Sequence, residues 1–287
     1  MQVLYSTDDL RKTLSTFRAS GLKVGFVPTM GNLHDGHISL IEAARKTCDV
    51  VVASIFVNPL QFGANEDLDT YPRTLEADKA LLLSNGCDVL FAPSVREMYP
   101  GGKGLATVVD MPELSPLHCG VSRPQFFKGV ATVVVKLLCM VQPDIAFFGE
   151  KDRQQLTIIR QVISDLSLPV HIEGVETKRA ASGLAMSSRN NYLNQEELAL
   201  AASLYQVLLE VGRQLQAGNQ DYAQLESEAC TKLENLGFVP DYFHICQLQS
   251  LLPVKPDDHE ITILAAASLN GTRLIDNIAF DIRDTRL

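Results

Sequence analysis

The sequence predicts an α/β fold that consists of a parallel-sheet domain and a smaller C-terminal α+β domain. Up to about residue 176, short apolar runs typical of buried strands alternate with stretches of helical periodicity. Beyond that point two long helical stretches precede two strand-like stretches, so the alternation is lost. These stretches lie at 195–217 and 221–236, and near 242–248 and 261–267. We therefore assign residues 1–176 to the first domain and residues 177–287 to the second.

The elements of the first domain follow in order from its apolar runs and helix signals. Ser6 and the acidic residues at positions 8 and 9 resemble a capping box, so a helix is predicted to begin there and to stop at Gly21. A valine-rich stretch at 130–141 has its apolar residues at helical spacing and is predicted to be a buried helix despite its β-branched side chains. Strands are predicted at 23–28, 49–57, 88–92, 144–148 and 169–175, and further helices at 75–85 and 152–166.

Composition narrows the class of protein. The chain has 287 residues, of which 46% are hydrophobic and 21% charged, as is ordinary for a globular protein. A formal net charge of −9 argues against broad nucleic-acid binding, and no stretch approaches the ~20 apolar residues of a membrane span. The N-terminus lacks the form of a signal peptide. We therefore expect a cytoplasmic protein with no nucleic-acid or membrane partner.

Cysteine usage agrees with that expectation. The six cysteines are scattered along the chain and form no CxxC pair. Cys139 lies in the valine-rich helical stretch, so reduced thiols of the core are favoured over disulfides or a zinc site.

Two histidines, His34 and His37, flank Gly36 between a predicted strand and a helix predicted over 37–44. A helix N-terminus offers unpaired N–H groups and a positive dipole end, and histidines there can donate to phosphoryl oxygens. Such a pair also arises for structural reasons, but its strand–loop–helix setting favours nucleotide chemistry. Asp35 is expected to cap the helix or to orient a histidine, because a carboxylate would repel a phosphate.

Four unusual segments fall at the ends of predicted strands or just beyond the predicted sheet. They are Pro28–Gly31, Asn58–Gly63, Gly149–Asp152 and Met186–Asn190. Parallel α/β sheets bind ligands beyond the carboxyl ends of their strands, so we expect the segments to converge. Lys151, Arg189 and the histidines could then neutralise a triphosphate, and Ser187 and Ser188 could donate hydroxyl protons to it. Two alternatives stay open: a solvated turn at Lys151 with Asp152 capping the next helix, and a plain loop at the serines.

Two glutamines open the helix predicted from Asp152. Its apolar stripe runs through Leu156, Ile159, Val162, Ile163 and Leu166. Gln155 extends this stripe at its N-terminal end, whereas Gln154 aligns with a mostly polar face. A glutamine on a core-facing stripe needs polar partners, because an unpaired buried amide costs roughly 1–3 kcal/mol. A polar substrate would provide them, so Gln155 is the better site candidate of the two.

Four motifs, in this order, resemble those of the pantoate–β-alanine ligase family. They are Pro28–His37 (PTMGNLHDGH), Phe56–Phe62 (FVNPLQF), Phe148–Gln155 (FGEKDRQQ) and Gly183–Asn190 (GLAMSSRN). The resemblance runs from Val27 to Asn194 and recurs at Thr272–Asn277 (TRLIDN). The family belongs to the nucleotidyltransferase superfamily that includes class I aminoacyl-tRNA synthetases, and it implies a Rossmann-like nucleotide-binding domain. In that superfamily a His-x-Gly-His segment and a Met-Ser-Ser-Arg-like loop grip opposite sides of ATP.

The resemblance implies an enzyme that condenses (R)-pantoate with β-alanine, with ATP as co-substrate and Mg²⁺ as cofactor, and that releases AMP and diphosphate. The pantoate carboxylate would attack the α-phosphate to give a pantoyl adenylate, from which the β-alanine amine would displace AMP. No protein nucleophile is needed, so catalysis would rest on positioning and on stabilising phosphoryl charge. The resemblance also implies a homodimer.

Roles for individual residues also come from the resemblance. His37 would donate a proton to the phosphate, Gln61 would bind pantoate and β-alanine, and Gln155 would bind pantoate. Asn58 would add a donor for phosphates or pantoate, and Asp78 is a candidate protein ligand of a Mg²⁺ ion held mainly by phosphate oxygens. The implied catalytic group is His34, His37, Lys151, Ser187, Ser188 and Arg189. The implied ATP contacts are Met30, Gly31, Asn32, Leu33, His34, Asp35, Gly36, His37, Gly149, Glu150, Lys151, Asp152, Lys178, Met186, Ser187, Ser188 and Arg189, the last four in a closing lid loop.

Two positions depart from the family pattern: Phe126 stands where a histidine is usual, and Ser182 where an acidic residue is usual. Two alternatives to the ligase stay open. One is another ATP-dependent nucleotidyltransferase of the His-x-Gly-His type, and the other, suggested only by these two departures, is a catalytically silent nucleotide-binding protein. A phosphorylated acceptor would need extra Arg or Lys residues at Gln61 and Gln155, where the motifs have amides. The intact histidines, Lys151 and Arg189 argue against the silent protein.

Overall fold

The computed structural model describes residues 1–63, 66–102 and 107–284. The chain divides into two compact units. The first unit comprises Met1–Glu150 and Ile158–Glu176, and the second comprises Lys151–Thr157 and Thr177–Leu287. Each unit is built around a sheet of its own.

Within the described residues, the first unit contains a six-stranded parallel sheet with helices between its strands. The strands are β1 (Gln2–Leu4), β2 (Val24–Thr29), β3 (Val50–Ile55), β4 (Val89–Phe91), β5 (Ile145–Gly149) and β6 (His171–Val175). The helices are α1 (Thr7–Ala19), α2 (Asp35–Thr47), α3 (Leu75–Ser84), α4 (Val95–Met98), α5 (Cys119–Ser122), α6 (Phe126–Val141) and α7 (Arg153–Asp165), of which α7 has residues 153–157 in the second unit. The predicted α/β fold class is confirmed.

The strand order places a ligand-binding position next to the two histidines. The sheet runs β1-β4-β3-β2-β5-β6, and every neighbouring pair is parallel. From β2 the chain adds β3 and β4 on one side and later adds β5 and β6 on the other. The topological switch point of the sheet therefore lies between β2 and β5, where open α/β sheets bind ligands. The segment Met30–His37 follows the carboxyl end of β2.

The core of the first unit forms where α2 covers the centre of the sheet. Leu40, Ile41 and Ala44 of α2 are buried against Val51 and Phe147 of the strands. Burying an aliphatic or aromatic side chain of this size stabilises a fold by roughly 1.5–3 kcal/mol. The valine-rich helix prediction is also confirmed, because α6 spans that stretch with its apolar residues buried.

The second unit is an α+β arrangement with an antiparallel sheet in the order β7-β8-β9. Its strands are β7 (Val239–Gln247), β8 (Glu260–Leu269) and β9 (Thr272–Asp281), and its helices are α8 (Gln195–Ala201), α9 (Ser203–Gln216) and α10 (Tyr222–Asn235). One long helix was expected at 195–217, but it is broken at Ala202, where the backbone stays near helical angles (φ −63°, ψ −20°). The strand β9 was not predicted, because Asp276 and Asn277 interrupt its apolar pattern.

All six cysteines are free thiols, as predicted. Burial raises the pKa of Cys87 to about 11, so this thiol stays protonated and unreactive. Cys139 was expected in the core but is exposed, because Leu137, Leu138 and Val141 occupy the buried face of α6. In the part of the chain that the structure describes, no helix has the length and apolarity needed to cross a membrane.

Candidate active site

The chain turns sharply after β2, and the turn is held from two sides. Thr29 Oγ1 donates to Ser54 O at 2.7 Å and accepts from Gly31 N at 3.2 Å. Gly31 has a φ of +83°, and a Cβ at this position would lie 3.1 Å from Asp78 Oδ2 and 3.1 Å from Ile55 Cγ2. A side chain there would be both strained and crowded, so glycine is what allows the turn to approach α3.

Asp78 lies on α3 against this turn and is only 3% exposed. Its Oδ2 accepts from Asn32 N at 3.0 Å, and its Oδ1 accepts from Leu33 N at 2.8 Å. Thr74 Oγ1 lies 3.2 Å from both carboxylate oxygens. A carboxylate that accepts several backbone N–H groups is fixed in place and holds the turn in return. These contacts favour a positioning role for Asp78 over the metal-ligand role that the sequence suggested.

The helix α2 begins with a reciprocal cap made by the two histidines. His34 is the N-cap residue, and its Nδ1 accepts from Gly36 N at 3.1 Å. His37 Nδ1 accepts in turn from His34 N at 3.3 Å, and the two ring centroids lie 4.1 Å apart. The helix was expected to begin at His37, with Asp35 as a cap or an orienting group. Instead His34 caps the helix and Asp35 is its exposed first residue.

This cap determines which ring nitrogen carries the proton. A neutral imidazole has one donor and one acceptor nitrogen, and Nδ1 is the acceptor in both His34 and His37. The proton of each neutral ring therefore lies on Nε2. Two Nε2–H donors thus stand at a helix N-terminus, where the dipole also favours negative charge. This arrangement can stabilise a phosphoryl oxygen as charge develops on it.

Two buried amides after β3 form a hydrogen-bonded network. Asn58 Nδ2 donates to Gln61 Oε1 at 3.1 Å and to Gly129 O at 3.2 Å, and Asn58 Oδ1 accepts from Tyr99 OH at 2.7 Å. Gln61 Nε2 lies 3.0 Å from Met30 Sδ, which is a weak acceptor. The network fixes the amide of Gln61 with its oxygen towards Asn58 and its NH₂ group as a donor.

Two residues that no motif singled out hold this network. A Cβ on Gly129 of α6 would lie 2.2 Å from Leu60 O and 2.8 Å from Gln61 N, so only glycine allows the helix to pass this close. Tyr99 is 4% exposed, and burial raises the pKa of its phenol. The hydroxyl therefore stays protonated and donates to Asn58 at any working pH.

The first departure from the family pattern lies beside the same network. Arg123 donates to Gln61 O at 3.4 Å and forms a two-point ion pair with Glu66 (2.6 and 2.5 Å). The Arg123 guanidinium carbon lies 3.6 Å from the centroid of the Phe126 ring. Phe126 therefore stabilises Arg123 through a cation–π contact. The phenylalanine that replaces the usual histidine thus contacts an arginine that in turn binds the backbone carbonyl of Gln61.

In the second unit, Lys151 is held by a side chain far along the chain. Asn277 Nδ2 donates to Lys151 O at 2.8 Å, and Arg153 Nε donates to Asn277 Oδ1 at 3.4 Å. Lys151 and Asp152 are both partly buried. These features disfavour the solvated turn that stayed open as an alternative.

The segment Met186–Arg189 leads into a 3-10 helix at Ser188–Tyr192. Ser187 caps this helix, because its Oγ accepts from Arg189 N at 3.3 Å. Ser188 is buried, whereas Ser187 and Arg189 are partly buried. The serines therefore belong to a structured turn and not to a plain loop.

A short hairpin precedes that segment. Lys178 O accepts from Met186 N at 2.9 Å, while the side chain of Lys178 is exposed. Ser182, the second departure from the family pattern, lies at the hairpin turn, where its Oγ accepts from Leu184 N at 3.4 Å. A neutral hydroxyl thus stabilises the turn in place of a carboxylate.

The first turns of α7 differ from the prediction about the two glutamines. Gln154 is buried at 5% exposure, whereas Gln155 is only partly buried. Ile158 is fully buried, and Leu166 is 50% exposed because it lies beyond the helix end at Asp165. The buried face of α7 is therefore wider than the predicted stripe and includes Gln154. The assignment of Gln155 to pantoate stays a prediction.

The described ranges 1–63, 66–102 and 107–284 contain no group of three or more His, Cys, Asp or Glu side chains that could hold a metal ion. Magnesium usually keeps several waters and binds through substrate phosphates.

The structure thus brings the predicted residues together in two groups. In the first unit, His34 and His37 share a cap, and Asn58, Gln61 and Met30 share one network. In the second unit, Lys151 and the hairpin before Met186–Arg189 are both bonded to residues of β9. Sequence reasoning missed Tyr99, which donates to Asn58, and the ion pair between Arg179 of the hairpin and Asp276 of β9, because these contacts join residues distant in the chain.

A parallel sheet with its switch point beside a histidine-capped helix defines a Rossmann-like nucleotide-binding enzyme. The family model for pantoate–β-alanine ligase matches residues 2–279. The pantothenate synthetase of Hahella chejuensis is 54% identical over 279 residues, which cover 97% of this chain and 99% of the relative. That of Azotobacter vinelandii is 52% identical over 282 residues, covering 98% and 100%.

Solved structures give the same result. Pantothenate synthetase from Thermus thermophilus has a TM-score of 0.89 at 43% identity and covers 98% of this chain and 99% of its own. Pantoate–β-alanine ligase from Francisella tularensis, solved in complex with β-γ ATP and β-alanine, has a TM-score of 0.80 at 35% identity, with 99% and 98% covered. The chain belongs to the pantoate–β-alanine ligase family, and it is an enzyme that joins pantoate to β-alanine with the use of ATP.

Proposed function

We propose that the condensation runs through a pantoyl adenylate held by the residues described above. In the first step a pantoate carboxylate oxygen attacks the α-phosphorus of ATP, and the bond to the bridging oxygen of diphosphate breaks. In the second step the β-alanine amine attacks the acyl carbon, AMP leaves with the acyl oxygen, and the amine loses a proton. The observation that carries the proposal is the histidine cap of α2, because it presents two N–H donors at the N-terminus of a helix.

His37 and His34 are proposed to act on the phosphates through their Nε2–H groups. The cap holds both rings in one tautomer before substrate arrives, so little reorganisation is needed as phosphoryl charge develops. His37 is proposed to donate an Nε2–H hydrogen bond to the phosphate, and His34 stands beside it. The full proton transfer that the resemblance implied would turn a neutral ring into an imidazolate, so the hydrogen bond is the role proposed. The segment Met30–His37 is proposed to contact ATP. The buried Asp78 carboxylate supports this proposal, because it fixes the backbone of Asn32 and Leu33 within the segment.

Gln61 is proposed to bind pantoate and then β-alanine, with Asn58 as a further donor. Asn58 already occupies the Gln61 oxygen, so the Gln61 NH₂ group is the part that can donate to a carboxylate or hydroxyl. Gln155 is proposed as the second pantoate ligand. An amide pocket suits a substrate that carries hydroxyl groups and a carboxylate, and it gives no charge for a phosphorylated acceptor.

Further ATP contacts are proposed for Gly149–Asp152, Lys178 and Met186–Arg189, with Met186–Arg189 as a lid and Lys151, Ser187, Ser188 and Arg189 in the catalytic group. Family membership supports these roles, since the motifs are those of the ligases. Mg²⁺ is proposed to reach the enzyme on the phosphates of ATP, where it neutralises charge on the leaving diphosphate. Asp78 is a second choice as its ligand, because backbone N–H groups already occupy both of its oxygens.

We also propose that residues 1–176 form the domain that binds ATP and pantoate, and that residues 177–287 form the domain that carries the lid. A cytoplasmic location is supported by the six free thiols, which are typical of reducing compartments. A homodimer is proposed from family membership alone, and sedimentation of the purified protein would test it.

The decisive experiment is a single turnover without β-alanine. Enzyme, ATP, Mg²⁺ and pantoate are mixed and quenched at millisecond intervals, and diphosphate is measured. A burst of about one diphosphate per active site supports the adenylate, because a closed site protects an acyl adenylate from water. A parallel run without pantoate should give no diphosphate. If diphosphate forms only when β-alanine is added, the two-step scheme is wrong.

A further inference from the structure

The motif Thr272–Asn277 resembles the family but has no role in the reaction described so far. It forms the first part of β9, an edge strand of the second unit's sheet. Asp276 and Asn277 within it are each 5% exposed. Buried polar side chains destabilise a fold unless they are well paired, so their partners indicate what they do.

Asp276 holds Arg179 in a two-point ion pair. Arg179 donates to the two carboxylate oxygens of Asp276 at 2.7 and 2.9 Å, to Asn277 O at 3.2 Å and to Gly183 O at 3.1 Å. Its guanidinium carbon lies 3.6 Å from the centroid of the Tyr205 ring. Burial raises the pKa of the Asp276 carboxyl, and the guanidinium counteracts that rise. The two-point bond and the stacking contact together fix the orientation of the guanidinium plane.

Arg179 in turn belongs to the hairpin that leads into the lid segment. It is bridged to Ala185, and Ala180 N donates to Leu184 O at 2.9 Å. The turn residue Gly183 has a φ of +92°, and a Cβ there would lie 2.8 Å from a Tyr205 ring carbon. The ion pair therefore fixes both the start of the hairpin and its turn, and Met186 follows directly after it.

The neighbouring residue holds the other proposed cation. Asn277 Nδ2 donates to Lys151 O at 2.8 Å, and Asn277 Oδ1 accepts from Arg153 at 3.4 Å. Asn277 N donates to Asp276 Oδ1 at 2.8 Å, so the two side chains form one network. The positive charge of Lys151 also contributes to lowering the pKa of the Asp276 carboxyl, against the rise that burial causes.

We propose that Asp276 and Asn277 are positioning residues that set the spacing between Lys151 and the Met186–Arg189 segment. Both of those groups belong to the second unit, as do the two residues of β9. Two consecutive residues of one strand thus hold the proposed lid and the proposed phosphate-binding lysine in a fixed relation. This inference rests on the proposed assignment of Lys151 and Arg189 to ATP.

The test uses D276N and N277A, and it measures the rate of diphosphate formation and the KM values for ATP and pantoate. A small misplacement of catalytic groups costs on the order of 10²-fold in rate, so we expect a loss of about 10–100-fold in kcat/KM for ATP. The KM for pantoate should change less than about twofold. The matched control is D241N, which removes the ion pair of Asp241 with Arg273 on the same sheet and should leave ATP use unchanged.

A double-variant comparison separates positioning from general stability. In a K151A background, N277A should add less than about twofold, because its effect on ATP passes through Lys151. A merely structural role would lower the melting temperature of N277A without this dependence. If D276N does not fold, R179K gives the same test, because lysine keeps the charge and loses the two-point geometry.

The outcomes distinguish the inference from the assignment on which it rests. If K151A and R189A use ATP as well as the parent enzyme does, the ATP assignment is wrong. If those two variants are impaired while D276N, R179K and N277A match D241N in ATP use, the positioning proposal alone is wrong. An equal rise in the KM for ATP and in the KM for pantoate in the β9 variants would also overturn it.

Discussion

The histidine cap of α2 and the hairpin before Met186 both carry residues proposed to act on ATP, but they are held in different ways. The cap is closed by residues within four positions of one another, since Gly36 N and His34 N donate to the two rings. The hairpin is held by Asp276, which lies 97 residues beyond Arg179. The first site is therefore local, and the second depends on tertiary structure.

The two regions are expected to differ in how much stability a substitution removes. A local cap forms as soon as the helix does, and its loss costs about 1 kcal/mol of stability. A buried ion pair is different, because removing one partner leaves an uncompensated charge at a cost of about 3–5 kcal/mol. We therefore expect substitutions at the cap to affect chemistry more than folding, whereas substitutions at the hairpin anchor affect both.

The largest expected effect tests the local site. H37A should lower the rate of adenylate formation by roughly 10²–10³-fold, the usual result of losing one donor to a developing oxyanion. The melting temperature should change little, because only one capping bond is lost. Quench-flow measurement of diphosphate gives the rate, and H37Q is the control.

Glutamine at position 37 can still accept the backbone N–H of His34, as in an ordinary capping box. We therefore expect H37Q to melt like the parent while its adenylation stays well below the parent rate. An H37A variant within about threefold of the parent rate would show that His37 has no role in the chemistry.

The next effect concerns the amide pocket. Q61A and Q155A should raise the KM for pantoate by about 10–100-fold, since a substrate hydroxyl or carboxylate loses its partner. Affinity for ATP, measured by calorimetry with a non-hydrolysable analogue, should stay within about twofold. Q154A is the matched control for Q155A on the same helix turn. A variant that loses ATP affinity more than pantoate affinity would contradict the assignment.

A smaller effect is expected from Tyr99, which contacts the amide pocket through Asn58. Y99F removes the 2.7 Å hydrogen bond to Asn58 Oδ1 and leaves the ring in place. A net hydrogen bond is worth about 1 kcal/mol, so we expect the KM for pantoate to rise about 3–10-fold with kcat little changed. In a Q61A background the same substitution should have almost no effect on KM. An equal effect in both backgrounds would show that Tyr99 does not act through Gln61.

The two regions also explain what the sequence could predict. The α/β class and the valine-rich helix follow from short-range patterns of apolar residues, and the histidine segment stands out as a short motif between a strand and a helix. Asp35 was expected to cap α2 or to orient a histidine, but the N-cap is the preceding residue, His34. This was missed because histidine is not a usual capping residue. The strand β9 and the anchoring role of Asp276 could not be predicted, since a polar pair inside a strand is explained only by partners elsewhere in the chain.

The smallest effect tests a long-range contact of the second unit that lies outside the proposed site. Glu226 on α10 accepts from Ile245 N of β7 at 2.7 Å, and burial raises the pKa of its carboxyl above the usual 4.5. The native carboxyl therefore keeps its proton to a higher pH than the unfolded one, so this group favours folding less as pH rises through the unfolded value. Above the native pKa the full penalty of a buried charge remains.

E226Q keeps an oxygen for Ile245 and removes that penalty. We expect the variant to gain stability relative to the parent, by less than about 1 kcal/mol, as pH is raised from about 4 to 7. Urea unfolding at both pH values measures the difference, and E228Q on the exposed face of α10 controls for loss of a surface charge. A gain that is the same at both pH values, or that E228Q matches, would mean that the Glu226 carboxyl carries no folding penalty. A gain confined to neutral pH would show that long-range polar contacts in this unit need not be optimal for stability where no catalytic group depends on them.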